Sequence, residues 1–194
     1  MKLLTSVTPC VLFIWMAGSA AAVPILSVDA DPGTPGIQSV LSIPFGNPFT
    51  VDVVIIGVET GQPLNAFQFD LVFDPLRLAA TGVVSGGFLP AETIVLLDDI
   101  TPPDVMYAEA SLGGGAVGHG VLASISFDTL SVGTSDLDLM NVILAALIPP
   151  GGEIPAQVSG GRVTVTSGQA IPEPSTLLLL GMGVGGLLAA GRRR

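Results

Sequence analysis

Apolar and polar residues alternate with a period of two through the middle of the chain, which is typical of half-buried β-strands. In segment 64–73 the alternation places four apolar residues on one face, namely Phe67, Phe69, Leu71 and Phe73. In segment 121–128 it predicts a shared face for Val121, Ala123, Ile125 and Phe127, and segment 162–166 alternates around Val163 and Val165. Segment 49–57 begins with alternation and becomes continuously apolar, as expected of a central strand.

Glycine- and proline-rich turn signals separate these segments at short intervals. Examples lie at residues 31–33, 61–63, 101–103 and 149–152. No amphipathic helix of useful length interrupts the series. The sequence therefore predicts an all-β fold, a sandwich of roughly eight or nine short strands.

The first 22 residues have the composition of a secretory signal peptide. Lys2 is followed by an apolar run, and Ala20 and Ala22 supply the small residues that precede a cleavage site before Val23. The only cysteine, Cys10, lies in this segment and lacks the small residues expected before a lipidated cysteine. The mature chain is therefore expected to have neither disulfides nor thiolate metal sites.

The last 26 residues, 169–194, have a second pattern of three parts. Pro172, Glu173 and Pro174 precede an uncharged apolar run of 16 residues, 176–191, and three arginines end the chain. The run is short for a membrane-spanning helix of about 20 residues, but flanking arginines can extend to the headgroups. Basic residues stay on the cytoplasmic side, so the C-terminus is predicted to face inward. Physical chemistry alone leaves open a permanent anchor and a tail removed during maturation.

The order of Pro172-Glu173-Pro174, apolar run and terminal arginines resembles the bacterial PEP-CTERM sorting signal. The resemblance covers the C-terminal segment only. It implies recognition by an exosortase, a membrane transpeptidase-like enzyme. It also implies a Gram-negative producer that makes extracellular polysaccharide, a transient stay in the inner membrane, and release to the cell surface or medium.

Between the two signals, residues 23–168 form a segment of the size of one domain. It contains two basic residues, Arg77 and Arg162, against fifteen acidic ones, a formal charge of −13. Such a charge argues against binding to nucleic acids or to anionic membranes. It favours solubility outside the cell, cationic partners or divalent ions.

Four parts of this domain resemble a cohesin module: 49–58, the aromatic strand 66–75 that ends in Asp74-Pro75, 120–128, and the closing strand 161–165. The resemblance implies a nine-stranded jelly-roll sandwich and a non-catalytic role in binding other proteins. Cohesins bind dockerin modules on one sheet face, and dockerins carry paired calcium loops that are absent from this chain. The resemblance assigns no residue to a partner contact.

Candidate chemical sites are few. The single histidine, His119, lies between glycines in what the sequence predicts to be an exposed connection, and the glycine-rich segments do not lead from a strand into a helix. Clustered loop carboxylates suit calcium, but none has EF-hand spacing, and solvated acidic loops are the default. The candidate calcium ligands are Asp29, Asp31, Asp98, Asp99, Asp104, Asp136 and Asp138. No cofactor is expected apart from this candidate structural ion.

These observations predict an exported, surface-sorted, non-enzymatic module that binds another protein in the envelope or extracellular matrix. The partner is a dockerin-like or other protein. The alternative from a different class is a matrix-structural or exopolysaccharide-binding sandwich. A domain with one tyrosine, Tyr107, and no tryptophan after loss of Trp15 has few of the aromatic platforms that sugar clefts use.

Overall fold

The structure is a computed structural model that describes residues 23–90, 92–147 and 152–168, within which every helix or strand is a β-strand. In chain order the strands are β1 (Ile25–Asp29), β2 (Val40–Pro44), β3 (Phe49–Val58), β4 (Leu64–Val72), β5 (Leu78–Ser85), β6 (Thr93–Thr101), β7 (Asp104–Ser111), β8 (Gly118–Thr129), β9 (Gly133–Ala146), β10 (Gly152–Glu153), β11 (Gln157–Ser159) and β12 (Gly161–Thr166). The predicted all-β sandwich is confirmed. The strands outnumber the expected nine because β2, β10 and β11 are short segments of five, two and three residues.

Two sheets pack face to face. The smaller sheet has the order β11-β1-β3-β8-β5, and the larger has the order β2-β12-β9-β4-β7-β6, with β10 paired to β9. The described pairs are antiparallel except β1 with β11 and β2 with β12, which are parallel. The chain passes from the smaller to the larger sheet both after β1 and after β11. The two ends of the domain are therefore paired with each other in both sheets.

The alternating apolar residues fill the space between the sheets. Phe67, Phe69, Leu71 and Phe73 are at most 3% exposed, which confirms the inward face predicted for β4. The ring of Phe127 on β8 stacks on Phe49 at 5.5 Å and meets Phe73 edge-on at 5.3 Å. The predicted inward residues of β12, Val163 and Val165, are also buried. Aromatic contacts within the smaller sheet and between the two sheets thus join parts of the chain that are distant in sequence.

Strand β8 departs from the predicted alternation at its start. The register with β3 shifts by one residue between Val53 and Val54, so that Leu122 is an extra residue on β8. Leu122 consequently turns inward and is fully buried, whereas Val121 turns outward and lines a surface cavity. The prediction that Val121 shares the inward face is wrong, because a β-bulge adds a residue to one strand of the pair and disturbs the alternation.

The signal-peptide segment with Ala20 and Ala22, the motif Pro172-Glu173-Pro174 and the apolar run 176–191 lie outside the described residues. Within the described ranges there is no helix with the length and hydropathy needed to cross a membrane.

Candidate functional site

Outward side chains of four neighbouring strands, β9, β4, β7 and β6, form a surface that we call the large-sheet face. The strand register aligns these side chains in four rows that cross the strands. From one end of the face to the other, the rows are Ala145–Ala66–Ala110–Ile94, Ile143–Gln68–Ala108–Leu97, Met140–Asp70–Met106–Asp99 and Asp138–Val72–Asp104–Thr101. The face is therefore apolar at one end and carries four carboxylates at the other.

The apolar end contains a shallow depression of about 140 Å³. Its floor is low because three neighbouring strands, β9, β4 and β7, present alanines there, namely Ala145, Ala66 and Ala108. Leu96, which is 62% exposed, forms one wall, and Ile143, which is 45% exposed, forms the other. Leu96 is the extra residue at a register shift in β6. Contiguous apolar surface of this kind is typical of interaction sites.

The acidic end is held by short polar contacts. The side-chain amide of Asn141 donates to Asp70, and the hydroxyl of Thr101 donates to the carboxylate of Asp99. Next to this end, Nε of Arg162 on β12 donates to Asp136 at 2.6 Å. This hydrogen bond, together with the charge of Asp136, raises the pKa of the Arg162 guanidinium. Among the described residues, none of the four carboxylates of the face takes part in a salt bridge.

The candidate calcium ligands of the central region lie in strands and on different sides of the larger sheet. Asp98 and Asp99 lie within β6 and Asp104 begins β7, although the sequence suggested loop positions. Asp99 and Asp104 share the acidic end with Asp138 of β9, whereas Asp98 lies on the other side of β6, opposite Tyr107. The register thus separates Asp98 from its sequence neighbour and joins residues about 35 positions apart.

Near the N-terminus of the domain, Asp29 accepts the backbone N–H groups of Asp31 and Gln38 at 3.2 and 3.0 Å. Asp31 in turn accepts the hydroxyl of Thr34 at 2.7 Å. These contacts stabilise the loop that follows β1. Within the part of the chain that the structure describes, no three or more His, Cys, Asp or Glu side chains are grouped so as to hold a metal ion.

A polar pair lies inside the sandwich. Tyr107 and Glu109 are each 1% exposed, and the Tyr107 hydroxyl donates to Oε2 of Glu109 at 3.3 Å. Burial, followed by the charge and hydrogen bond of Glu109, raises the pKa of Tyr107 to about 12. Tyr107 is therefore a core residue and offers no surface for stacking against a sugar. His119 is exposed, as expected, but is the second residue of β8 instead of lying in a connection.

The sequence pattern does not by itself predict the large-sheet face. One signal was present: the apolar run Ile94–Leu97 and the outward positions Met140 and Ile143 break the alternation expected of a strand with a solvated side. The apolar run by itself is equally compatible with a buried strand and with an exposed apolar strand. The position of β6 at the edge of the larger sheet decides between these interpretations.

Comparison with family models finds a PEP-CTERM protein-sorting motif at residues 170–194. No curated protein sequence matches the chain significantly. Solved structures do match over the described domain, and their fold is that of cohesin modules.

The seventh ScaB type I cohesin from Pseudobacteroides cellulosolvens aligns with a TM-score of 0.62 and 17% identity, over 78% of this chain and 97% of that one. CaCohA2 from Clostridium acetobutylicum aligns at 0.60 and 22% identity, over 79% and 98%. The Coh-OlpC–Doc435 type I cohesin–dockerin complex from Clostridium thermocellum aligns at 0.61 and 13% identity, over 78% and 98%. The protein therefore combines a jelly-roll sandwich of the cohesin fold with a C-terminal PEP-CTERM sorting motif.

Proposed function

We propose that this protein is an exported, surface-sorted, non-catalytic module that binds a protein partner through the large-sheet face. The observation that carries the proposal is the asymmetry of that face, which has an exposed apolar depression at one end and carboxylates at the other. Apolar side chains held rigidly on strands lose little conformational entropy when a partner covers them. The depression then gives the partner an anchoring position.

The chemistry of the face specifies the partner. An aliphatic or aromatic side chain of the partner fills the depression between Leu96 and Ile143, and Lys or Arg side chains lie over Asp70, Asp99 and Asp138. Opposite charges of this kind accelerate association and fix the orientation of the partner more than they add affinity. The domain charge of −13 acts in the same direction, because it attracts cationic surfaces from a distance.

The comparisons support a protein as the partner. One matching structure is a type I cohesin–dockerin complex, so a dockerin-like module is one candidate partner for this chain. The sorting motif supports processing by an exosortase at the envelope of a Gram-negative bacterium. In that route the chain is held in the inner membrane with its C-terminus in the cytoplasm before release to the surface.

Association with exopolysaccharide is the alternative function. It has less support from the described residues, since they include no tryptophan and their one tyrosine, Tyr107, is buried. The acidic end of the large-sheet face also repels anionic polysaccharides.

A matched pair of surface substitutions tests the proposal. Leu96 on the large-sheet face and Val84 on the outer side of β5 are both 62% exposed. Leu96→Asp is expected to weaken partner binding at least tenfold, because it places a charge in the apolar depression, whereas Val84→Asp leaves binding unchanged. The partner is captured from the producer's extracellular proteins, purified, and measured by calorimetry against the wild type and both variants.

Equal binding by both variants would show that another surface is used. Retention of all three proteins on the producer's exopolysaccharide, without a protein that binds at micromolar concentration, would favour the alternative function.

A further inference from the structure

A second concavity lies on the outer side of the smaller sheet, away from the large-sheet face. Its volume is about 450 Å³, and we call it the loop pocket because residues of the loop between β1 and β2 form one wall. The sheet side is formed by three neighbouring strands, β1, β3 and β8. Their contributions are Asp29, Asp52, Val54, Ile56, His119 and Val121.

The loop is fixed at its base and so forms a permanent wall. Ala30 N–H donates to the carbonyl of Gln38 at 2.6 Å, and Oδ1 of Asp29 accepts the N–H groups of Asp31 and Gln38. Gly36 adopts a φ of 95°, which allows the loop to turn back toward the sheet. The pocket therefore exists before any ligand binds.

Two carboxylates face each other in this pocket. Asp29 and Asp52 are directly opposite in the antiparallel pair β1–β3, and both line the cavity. Asp29 is only 7% exposed, and Oδ1 of Asp52 accepts the hydroxyl of Ser124 at 2.6 Å. Like charges at directly opposite positions destabilise a strand pair. A cation bound between them removes this repulsion.

Neither arginine of the described residues is placed to do so, and the one other side chain there that can carry a positive charge, His119, lines the pocket itself. The described ranges contain two arginines and no lysine. Arg77 donates to Ser131 and to the carbonyl of Val132, and Arg162 pairs with Asp136 on the larger sheet. A permanent positive charge between the two carboxylates therefore comes from a ligand.

The remaining lining identifies the class of cation. A divalent metal prefers six or more oxygen ligands, whereas Val54, Ile56 and Val121 make the sheet side of this pocket largely aliphatic. An ammonium group on an aliphatic chain fits both the aliphatic and the acidic part of the pocket. Its stem packs on the apolar side chains, and its charge lies next to the carboxylates. We propose that the loop pocket binds an organic cation with an aliphatic stem, of the lysine side-chain or polyamine class, with the ammonium group between Asp29 and Asp52.

His119 provides a reporter for the test, because it lines the pocket and is the only histidine in the chain. The full chain in mild nonionic detergent is titrated with 1,5-diaminopentane, and the imidazole proton signals are followed by NMR. We expect a saturable shift with the diamine and none with 1-pentanol, which has the same stem length without the charge.

Variants locate the binding. Asp52→Asn keeps an oxygen for the Ser124 hydroxyl and is expected to weaken diamine binding about tenfold. Val54→Lys places a tethered ammonium group in the pocket and should abolish binding with the fold retained. Asp128→Asn, at an exposed position of β8 outside the pocket, is the control and leaves the affinity unchanged.

Nα-acetyl-lysine N-methylamide and spermidine distinguish the two sources of the cation. Tighter binding of the former assigns the pocket to a lysine of a partner protein, and tighter binding of the latter assigns it to a free polyamine. The proposal is overturned if the diamine gives no saturable shift, if Asp52→Asn binds as the wild type does, or if Ca²⁺ shifts the reporter and the diamine does not.

Discussion

Tyr107 and Glu109 illustrate at the residue scale how a polar pair is accommodated in an apolar core. Alternation along β7 directs both side chains inward, between the sheets, where each is 1% exposed. Burial without a hydrogen-bond partner is costly for a polar group, and the contact of 3.3 Å between Tyr107 and Glu109 offsets part of that cost. The same burial stabilises the neutral phenol against ionisation.

The raised pKa of Tyr107 predicts a clear titration. Because Tyr107 is the only tyrosine, absorbance near 295 nm reports on it alone. We expect a midpoint near pH 12 in the folded protein, against about 10 in the unfolded chain. A midpoint near 10 under conditions where circular dichroism shows an intact fold would contradict the structure.

The same shift predicts how stability depends on pH. Between pH 10 and 12 the folded state keeps the phenol proton that the unfolded state has lost, so the free energy of unfolding falls by about 1.4 kcal/mol per pH unit. Urea unfolding at several pH values measures this slope. Tyr107→Phe should lack this contribution to the slope. At neutral pH it should be less stable by about 1–3 kcal/mol, because Glu109 loses its hydrogen-bond donor.

At the scale of elements, the end of β5 packs closely against the backbone of β8. Gly86 follows β5, and its N–H donates to the carbonyl of Leu122 at 2.9 Å. A Cβ on Gly86 would overlap the carbonyl oxygen of Val121, whereas a Cβ on Gly82, within β5, would have nothing within 4 Å. The approach at Gly86 is therefore possible only without a side chain.

Alanine substitutions at these two glycines are expected to differ. Gly86→Ala should destabilise the domain by about 1–3 kcal/mol, since the backbone of β8 must shift to relieve the overlap. Gly82→Ala should change the free energy of unfolding by less than about 0.5 kcal/mol. Chemical denaturation of both variants tests the difference. If Gly86→Ala lost no more stability than the nearly neutral Gly82→Ala, the end of β5 would tolerate a side chain.

The strands themselves were largely predictable from local pattern, and their deviations were not. The inward faces of β4 and β12 follow directly from alternation, because a strand directs successive side chains to opposite sides. The bulge that turns Leu122 inward and the register shift that exposes Leu96 depend on the neighbouring strands β3 and β7. No period within β8 or β6 encodes them.

At the scale of the whole molecule, the sandwich keeps two distinct surfaces apart. The large-sheet face lies on one outer side and the loop pocket on the other, with the apolar core between them. The loop pocket and the depression of the large-sheet face share no lining residue. The sorting motif at 170–194 then determines where both surfaces are displayed.

The sorting motif gives a prediction for the full chain in its producer. Glu173→Ala is expected to leave unprocessed precursor in the membrane fraction, because the charge between Pro172 and Pro174 is part of the recognised motif. Glu153→Ala, an exposed glutamate of β10, is the control and should be processed normally. Immunoblots of membrane and extracellular fractions measure both. Normal processing of Glu173→Ala would show that the glutamate is not recognised.

By itself the sequence determined the all-β class, the inward faces of its main strands and the sorting motif, because each depends on residues that are close together in the chain. Tertiary structure decided which side chains meet. Register between β6, β7, β4 and β9 gathers Asp99, Asp104 and Asp138 at one end of a face, and antiparallel pairing of β1 with β3 sets Asp29 opposite Asp52. Register depends on contacts between distant segments, so the two candidate binding surfaces became visible only once the sheets were formed.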